Sequence, residues 1–281
     1  MFSRLILELS LTAARRRAAV LAFAAVAASV VALPAPSALA GACGDDVDGR
    51  RVACACGDVV VSDTALSAGD PVVSEACSGD GLFVSTPSGQ AGITLDLSGL
   101  SIVGNGRGAG IRVVRGGTDG VAILGGEGVR AQIAGFATGI AAAGSSAVRE
   151  IRNVDLVANA KDGMKVRSTG MKASDVSANR NGRSGLHLSG HGATLDGVEA
   201  KENAGTGIRL KGSGATVEGV SEGNAGAGAR LSGRGHDLSS TELVGNGGAG
   251  VDAGGHGHSV SGAMLEDNAG GRVRGRAGAV K

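Results

Sequence analysis

The most constraining feature of this sequence is a short motif that recurs every 21 or 22 residues. The motif is an Asn followed four residues later by Gly and then by apolar-polar-apolar; only its last copy has Arg272 in place of the Gly. Its Asn residues are Asn159, Asn181, Asn203, Asn224, Asn246 and Asn268. A period of this length predicts stacked structural units, each of which buries its apolar side against its neighbours.

Each unit contains three short stretches in which apolar and polar residues alternate. In one unit these are Val198-Glu199-Ala200, Ile208-Arg209-Leu210 and the region around Val217. Strict alternation predicts β-strands rather than helices. Three strands in about 22 residues predict one coil of a solenoid, in which each strand pairs in parallel with its equivalent one coil away.

Glycine is abundant, with 52 of 281 residues, and a solenoid explains why. Tight corners need backbone conformations with positive φ, which glycine adopts without steric cost. Collagen is excluded because no glycine recurs every third residue and only 4 prolines are present. We also predict that the repeated Asn side chains stack as a hydrogen-bonded ladder at steps of about 4.8 Å.

The earlier part of the chain carries a family resemblance. Residues 56–58 (CGD), 77–82 (CSGDGL), 92–97 (GITLDL) and 110–113 (GIRV) resemble secreted right-handed parallel β-helix repeat proteins of the pectin-lyase-like superfamily. The resemblance extends over residues 56–272. It implies an all-β, single-stranded right-handed parallel β-helix with three sheets and about 8–9 coils, and the preferred hand of parallel crossovers agrees. It implies little about activity, because this fold carries lyases, hydrolases, epimerases, adhesins and proteins without assigned activity.

The first 40 residues differ from the rest. Three arginines at 15–17 precede an apolar run over 18–33, and Ala38-Leu39-Ala40 follows. This order predicts a cleaved signal peptide and a secreted or periplasmic protein with no membrane span after cleavage; a retained anchor is the alternative. The predicted organisation is then a Cys-rich cap with the first coil over 41–80, the β-helix over 81–272 and a C-terminal tail over 273–281.

All four cysteines, Cys43, Cys54, Cys56 and Cys77, lie in the predicted cap. An even number in an exported chain predicts two disulfides, although three pairings are open. Zinc is the alternative, but Cys54 and Cys56 lack the usual two-residue gap and no His lies near them.

Outward positions of the first strand form a basic face. We predict that its members, Arg112, Lys165, Arg167, His187, Arg209, Lys211, Arg230 and Arg274, bind an acidic polysaccharide or cell-surface glycan. The resemblance supports this, since enzymes of the fold hold anionic polysaccharides along this sheet. The third strand instead carries Asp155, Glu199 and Glu242. The alternative is that both sets of charges only keep the solenoid soluble.

The sequence favours a binding or structural role over catalysis. On the basic face it has one carboxylate, Asp252, and it has few of the aromatics on which sugar rings stack. His191 and His256 lie in Gly-His-Gly segments that resemble a polygalacturonase signature, but the paired acidic residues of that chemistry are missing. We therefore predict no catalytic residue, no cofactor and no metal, while a lyase or epimerase with an Arg or Lys base is the alternative. A net charge of +1 does not suggest a nucleic-acid partner.

Overall fold

A computed structural model describes residues 41–144 and 148–280. The predicted signal peptide, residues 1–40, lies outside the described residues. The first elements are β1 (Ala42–Val47), β2 (Arg50–Val52), β3 (Asp58–Val60), β4 (Thr64–Ala65), α1 (Pro71–Ser74), β5 (Leu82–Ser85), β6 (Thr94–Asp96), β7 (Ser101–Val103), β8 (Ala109–Arg115), β9 (Val121–Leu124), β10 (Ala131–Ala134) and β11 (Thr138–Ala142). The later elements are β12 (Val148–Val157), β13 (Met164–Thr169), β14 (Lys172–Asn179), β15 (Leu186–His191), β16 (Thr194–Lys201), β17 (Ile208–Ser213), β18 (Thr216–Glu222), β19 (Ala229–Arg234), β20 (Asp237–Val244), β21 (Val251–Ser261), β22 (Met264–Glu266) and β23 (Val273–Val280).

These strands form three parallel sheets, as the repeat predicts. Sheet 1 contains β3, β5, β8, β11, β13, β15, β17, β19 and the beginnings of β21 and β23. Sheet 2 contains β4, β6, β9, the beginnings of β12, β14, β16, β18 and β20, and the ends of β21 and β23. Sheet 3 contains β7, β10, the ends of the same five long strands, and β22. The expected all-β parallel solenoid is confirmed.

The solenoid has about ten turns, more than the eight or nine expected. The difference lies at the C-terminal end, where residues 273–281 were expected to form a tail. The structure instead contains β23, which pairs in parallel with β21 through Val251 and Val273. Backbone pairing along the edge of β21 needs no side-chain signature, so the weak pattern of this segment does not prevent a further strand.

Corners explain much of the glycine. A left-handed residue precedes each repeated Asn, with φ of 63° at Gly223 and 64° at Gly245. Glu202 has the same conformation, with φ of 55°. At the end of sheet 1, Gly212 has φ of 110°, and a Cβ there would overlap the carbonyl oxygen of Gly190. Only glycine fits that second corner, whereas the first tolerates other residues at an energetic cost.

The core is a narrow column of aliphatic side chains. Met164, Leu186, Ile208 and Ala229 pair in register on successive coils of sheet 1, and each is at most 1% exposed. The residues between them along each strand point outward. Alternation therefore places the basic side chains of sheet 1 on the surface and their neighbours in the core.

The repeated Asn residues stack directly inside one corner. The Asn203 Nδ2 donates to the Asn224 Oδ1 at 2.9 Å and to the Ala178 carbonyl oxygen at 2.9 Å. The Asn181 Nδ2 donates to the Asn203 Oδ1 at 3.0 Å in the same way. The same contacts continue from Asn159 to Asn268, and the first five members are 1% exposed. In the coil before the stack, Phe136 takes the Asn position and its backbone N–H donates to the Asn159 Oδ1 at 3.0 Å.

The N-terminal end is closed by a disulfide-bonded cap. The bonds join Cys43 to Cys54 and Cys56 to Cys77, which settles the pairing that the sequence leaves open. β1 and β2 form an antiparallel hairpin, and β1 also pairs with β3, so it covers the first edge of sheet 1. Asp70 is fully buried below it and accepts hydrogen bonds from the Cys54 N–H at 2.8 Å and the Ser67 N–H at 2.7 Å.

Candidate functional site

The middle of the basic face is a contiguous row on sheet 1. Lys165 pairs in register with His187, His187 with Arg209, and Arg209 with Arg230. Four consecutive coils therefore place these side chains in one line, at steps of about 4.8 Å along the solenoid.

A second row lies two residues further along the same strands. Here Arg167 pairs with Ser189, and Ser189 pairs with Lys211. Residues two apart on a strand share a face, so each of two coils carries a pair of cations. We call Lys165, Arg167, Arg209 and Lys211 the four central cations.

The outer members of the basic face are separated from this centre or neutralised. Arg112 is divided from Lys165 by Ala141 and forms an ion pair with Asp80 at 2.6 Å. Arg230 forms an ion pair with Asp252 at 2.6 Å, and Arg274 is the residue paired with Asp252 on its other side. The eight predicted residues therefore do not form one continuous row.

None of the four central cations forms an ion pair with a carboxylate of the described residues. The Nε of Arg209 is buried and has no hydrogen-bond partner within the part of the chain that the structure describes. An unpaired buried donor costs free energy, about 1–3 kcal/mol.

Three charged residues on the corner loops beside the first row were not predicted from the sequence. Lys161, Asp162 and Arg183 follow the repeated Asn residues, and a groove of about 290 Å³ separates the loop from sheet 1. Its lining is Asp162, Lys165, Gly182, Arg183, Ser184, His187, Ala204, Gly205, Thr206 and Arg209. The signal was available: Lys161 and Arg183 lie at the same offset, two residues after an Asn.

Asp162 is the only carboxylate lining that groove among the described residues, and it is 8% exposed. Its Oδ1 accepts a hydrogen bond from the Ser184 N–H at 3.1 Å. This contact joins the loops of two successive coils. Asp162 therefore stabilises the corner and also balances part of the positive charge of the groove.

His187 lies half-buried in the centre of the groove. Burial lowers its pKa below the ordinary value, Asp162 opposes that shift, and Arg209, Lys211 and Lys165 reinforce it. Because the net pKa is lowered, the imidazole is uncharged at neutral pH.

The acidic residues of sheet 3 follow a different order. Asp155, Glu199 and Glu242 occupy alternate coils, with Ser177 and Val220 between them. Asp155 is paired with Arg130 at 3.2 Å. Sheet 3 therefore carries acidic side chains on another side of the solenoid from the cations of sheet 1. Variants of these acidic residues can serve as controls for variants of the cations.

The remaining histidines have structural contacts. The His191 Nδ1 lies 2.8 Å from the Ser213 Oγ in an exposed corner row. His236 and His258 are 1% exposed and stack with ring centroids 5.2 Å apart. Their Nδ1 atoms accept backbone N–H groups of the preceding coil, from Ala215 and His236 respectively.

Over residues 41–144 and 148–280, no group of three or more His, Cys, Asp or Glu side chains is arranged to hold a metal ion. The same residues include no helix with the length and apolarity needed to cross a membrane.

A family model described as a right-handed beta helix region matches residues 119–269, which include the groove and the four central cations. No curated protein matches. No solved structure matches either.

Proposed function

Because this chain belongs to the right-handed β-helix family, we propose that it is a secreted or periplasmic solenoid that binds an acidic polysaccharide along the four central cations. The two disulfides of the cap fit an oxidising compartment. The role is binding or structural, and the site is the groove beside sheet 1.

The observation that carries this proposal is a set of aligned cations without protein partners. Arg112 and Arg230 on the same sheet are compensated by Asp80 and Asp252, whereas the four central cations are not. One exposed ion pair contributes about 0.2–1 kcal/mol, so a single contact would bind nothing. A polymer of carboxylates meets several cations at once and adds their contributions.

The groove also suits close approach of a chain. Gly182, Ala204 and Gly205 line its floor and edge on the loop side and place little side-chain bulk there. Thr206 and Ser184 line the same side and bring hydroxyl groups that can bond sugar hydroxyls. The aromatic stacking common in sugar sites is absent from this lining. We therefore expect affinity to depend on charge.

A second candidate is a lyase or epimerase that acts on the same class of glycan. It is favoured by one arrangement: His187, a neutral base, lies in register between Lys165 and Arg209. Cations that neutralise a uronate carboxylate would make its neighbouring C–H more acidic, and a neutral imidazole could accept the proton.

An array of neutral, carboxylated and sulfated glycans, followed by product analysis, tests the proposal. We expect retention of acidic glycans with no new reducing ends, no unsaturated uronates and no change in sugar configuration. Retention with any of those products would favour the enzyme. Retention of neutral glycans alone, or of none, would contradict the proposed function.

A further inference from the structure

The four central cations are grouped in pairs two coils apart. Lys165 and Arg167 lie on β13, and Arg209 and Lys211 lie on β17. β15 lies between them and presents His187 and Ser189 at the two equivalent positions. Two coil steps of about 4.8 Å separate the pairs by about 9.6 Å.

The coils on either side of this pattern carry no uncompensated charge in the first row. β11 presents Ala141 opposite Lys165. β19 presents Arg230, which is held by Asp252, and Ser232 in the second row. Along sheet 1, the outward positions are therefore neutral on β11, cationic on β13, neutral on β15 and cationic on β17. On β19 the charge of Arg230 is compensated by Asp252.

On sheet 1 the central coil presents no charge, and the surroundings of His187 explain why. His187 faces Lys165, Arg209 and Lys211 on neighbouring strands, and Asp162 and Arg183 on the loop side of the groove. Burial is the largest cause of its lowered pKa, and the three cations of sheet 1 act in the same direction. At neutral pH His187 therefore offers a hydrogen bond but no charge.

We infer that the groove recognises a linear polysaccharide that carries an acid group on every second sugar, with the uncharged sugar opposite His187. This inference rests on the proposed function and names the class of ligand. An extended sugar chain advances by roughly one residue per coil. An alternating chain would place successive carboxylates beside the two cation pairs. A chain with an acid group on every sugar, held with successive carboxylates turned toward the groove, would also place one beside His187, where sheet 1 supplies no cation to offset the lost water.

Arg183 does not change this pattern, although it belongs to the same coil as His187. It lies on the loop side of the groove and continues the row of Lys161, not the rows of sheet 1. Both side chains are exposed. We expect them to add affinity for both kinds of chain alike, so Arg183→Ser serves as a control that lowers binding without changing preference.

The test compares two oligosaccharides of equal length by calorimetry at one ionic strength. Hyaluronate carries a carboxylate on alternate sugars, and oligogalacturonate carries one on every sugar. The measured quantity is the ratio of their dissociation constants, for the unchanged protein, His187→Gln and His187→Arg. A permanent charge at 187 should shift the ratio toward oligogalacturonate by about two- to fivefold, the contribution of one exposed ion pair. His187→Gln should leave the neutral-pH ratio unchanged.

Acidification provides an independent test without the charged variant. Lowering the pH from about 8 to about 5 protonates His187 while both oligosaccharides stay largely ionised. The unchanged protein should shift toward oligogalacturonate, and His187→Gln should not. The other four histidines are present in both proteins, so any effect they have cancels in the comparison. Circular dichroism at each pH verifies the fold.

The possible outcomes distinguish failure of this inference from failure of the proposed function. If the protein bound neither oligosaccharide, the proposed function would be contradicted. Binding of both, weakened by loss of the central cations but with a ratio that neither His187→Arg nor acid moves, would overturn the inference alone. A preference for oligogalacturonate at neutral pH that His187→Gln retains would also overturn it.

Discussion

The Asn203 Nδ2 donates to the Asn224 Oδ1 at 2.9 Å, and both residues are 1% exposed. The Asn224 Oδ1 also accepts the Asn203 backbone N–H at 3.0 Å. Each amide thus satisfies a side chain and a backbone group of the preceding coil. The column fixes the corner loop against sheet 3, and that loop forms one side of the groove.

Removing one amide should therefore cost more than an exposed polar contact. Asn203→Ala leaves the Asn181 backbone N–H and side-chain amide without their acceptor. We expect a loss of about 1–3 kcal/mol in the free energy of unfolding, measured by urea denaturation. Asn105→Ala, at an exposed position, is the control. Equal midpoints for the two variants would contradict a structural role for the column.

The left-handed corner residues predict a stabilising change. Glu202 has φ of 55° at the position that Gly223 and Gly245 occupy in later coils. Glu202→Gly should relieve this strain and raise the free energy of unfolding by up to about 1 kcal/mol, after the greater flexibility of unfolded glycine is counted. Gly223→Glu should do the reverse. A fall in stability with Glu202→Gly would show that its side chain matters more than its backbone.

His236 makes stability depend on pH. Burial lowers its pKa and neighbouring His258 adds to the shift, while its contact with the Ser232 carbonyl opposes it. The unfolded chain then binds more protons in acid, so the contribution is complete above the ordinary pKa of about 6.5 and is lost as the pH falls through and below it.

The variant His236→Met tests this contribution, because Met171 occupies the equivalent place three coils before and is buried there. Melting temperatures from about pH 8 to about pH 5 should fall less for the variant than for the unchanged protein. His191→Gln, at an exposed histidine, is the control. Parallel pH profiles for all three proteins would contradict the assignment.

The cap predicts where reduction acts first. Cys43–Cys54 and Cys56–Cys77 both lie before the second coil, so reduction should raise hydrogen exchange over residues 43–80 while β13 to β20 stay protected. The later coils have their own core and Asn column. A uniform rise in exchange along the chain would show that the cap holds the whole solenoid together.

The sequence predicts the solenoid well because its corners and strands repeat. The interval between Asn181 and Asn203 already defines one coil, and alternation shows which side chains face outward. It predicts the disulfide pairing poorly, because Cys54 and Cys56 could each reach several partners. The distant pairs Arg112–Asp80 and Arg230–Asp252 are harder still.

Those two pairs decide which part of the basic face is available. Asp80 precedes its strand, so it is outside the strand positions from which the sequence defines the basic face. Asp252 lies at one of those positions, but its ion pair with Arg230 on the neighbouring coil was not predicted. Asp162 is outside the strand positions because it belongs to a corner, not a strand. The groove is therefore visible only when corner loops and strands are placed together.

The salt dependence of polygalacturonate binding tests the central claim most directly. The variant Lys165→Ser, Arg209→Ser, Lys211→Ser is compared with Asp155→Ser, Glu199→Ser, Glu242→Ser, whose residues lie on sheet 3. At physiological ionic strength the screening length is about 8 Å, so binding along the central cations should weaken steeply with added salt. We predict that the basic variant loses most of its affinity and of this slope while the acidic variant keeps both. Equal affinities and slopes in the two variants, with the fold intact, would contradict the account.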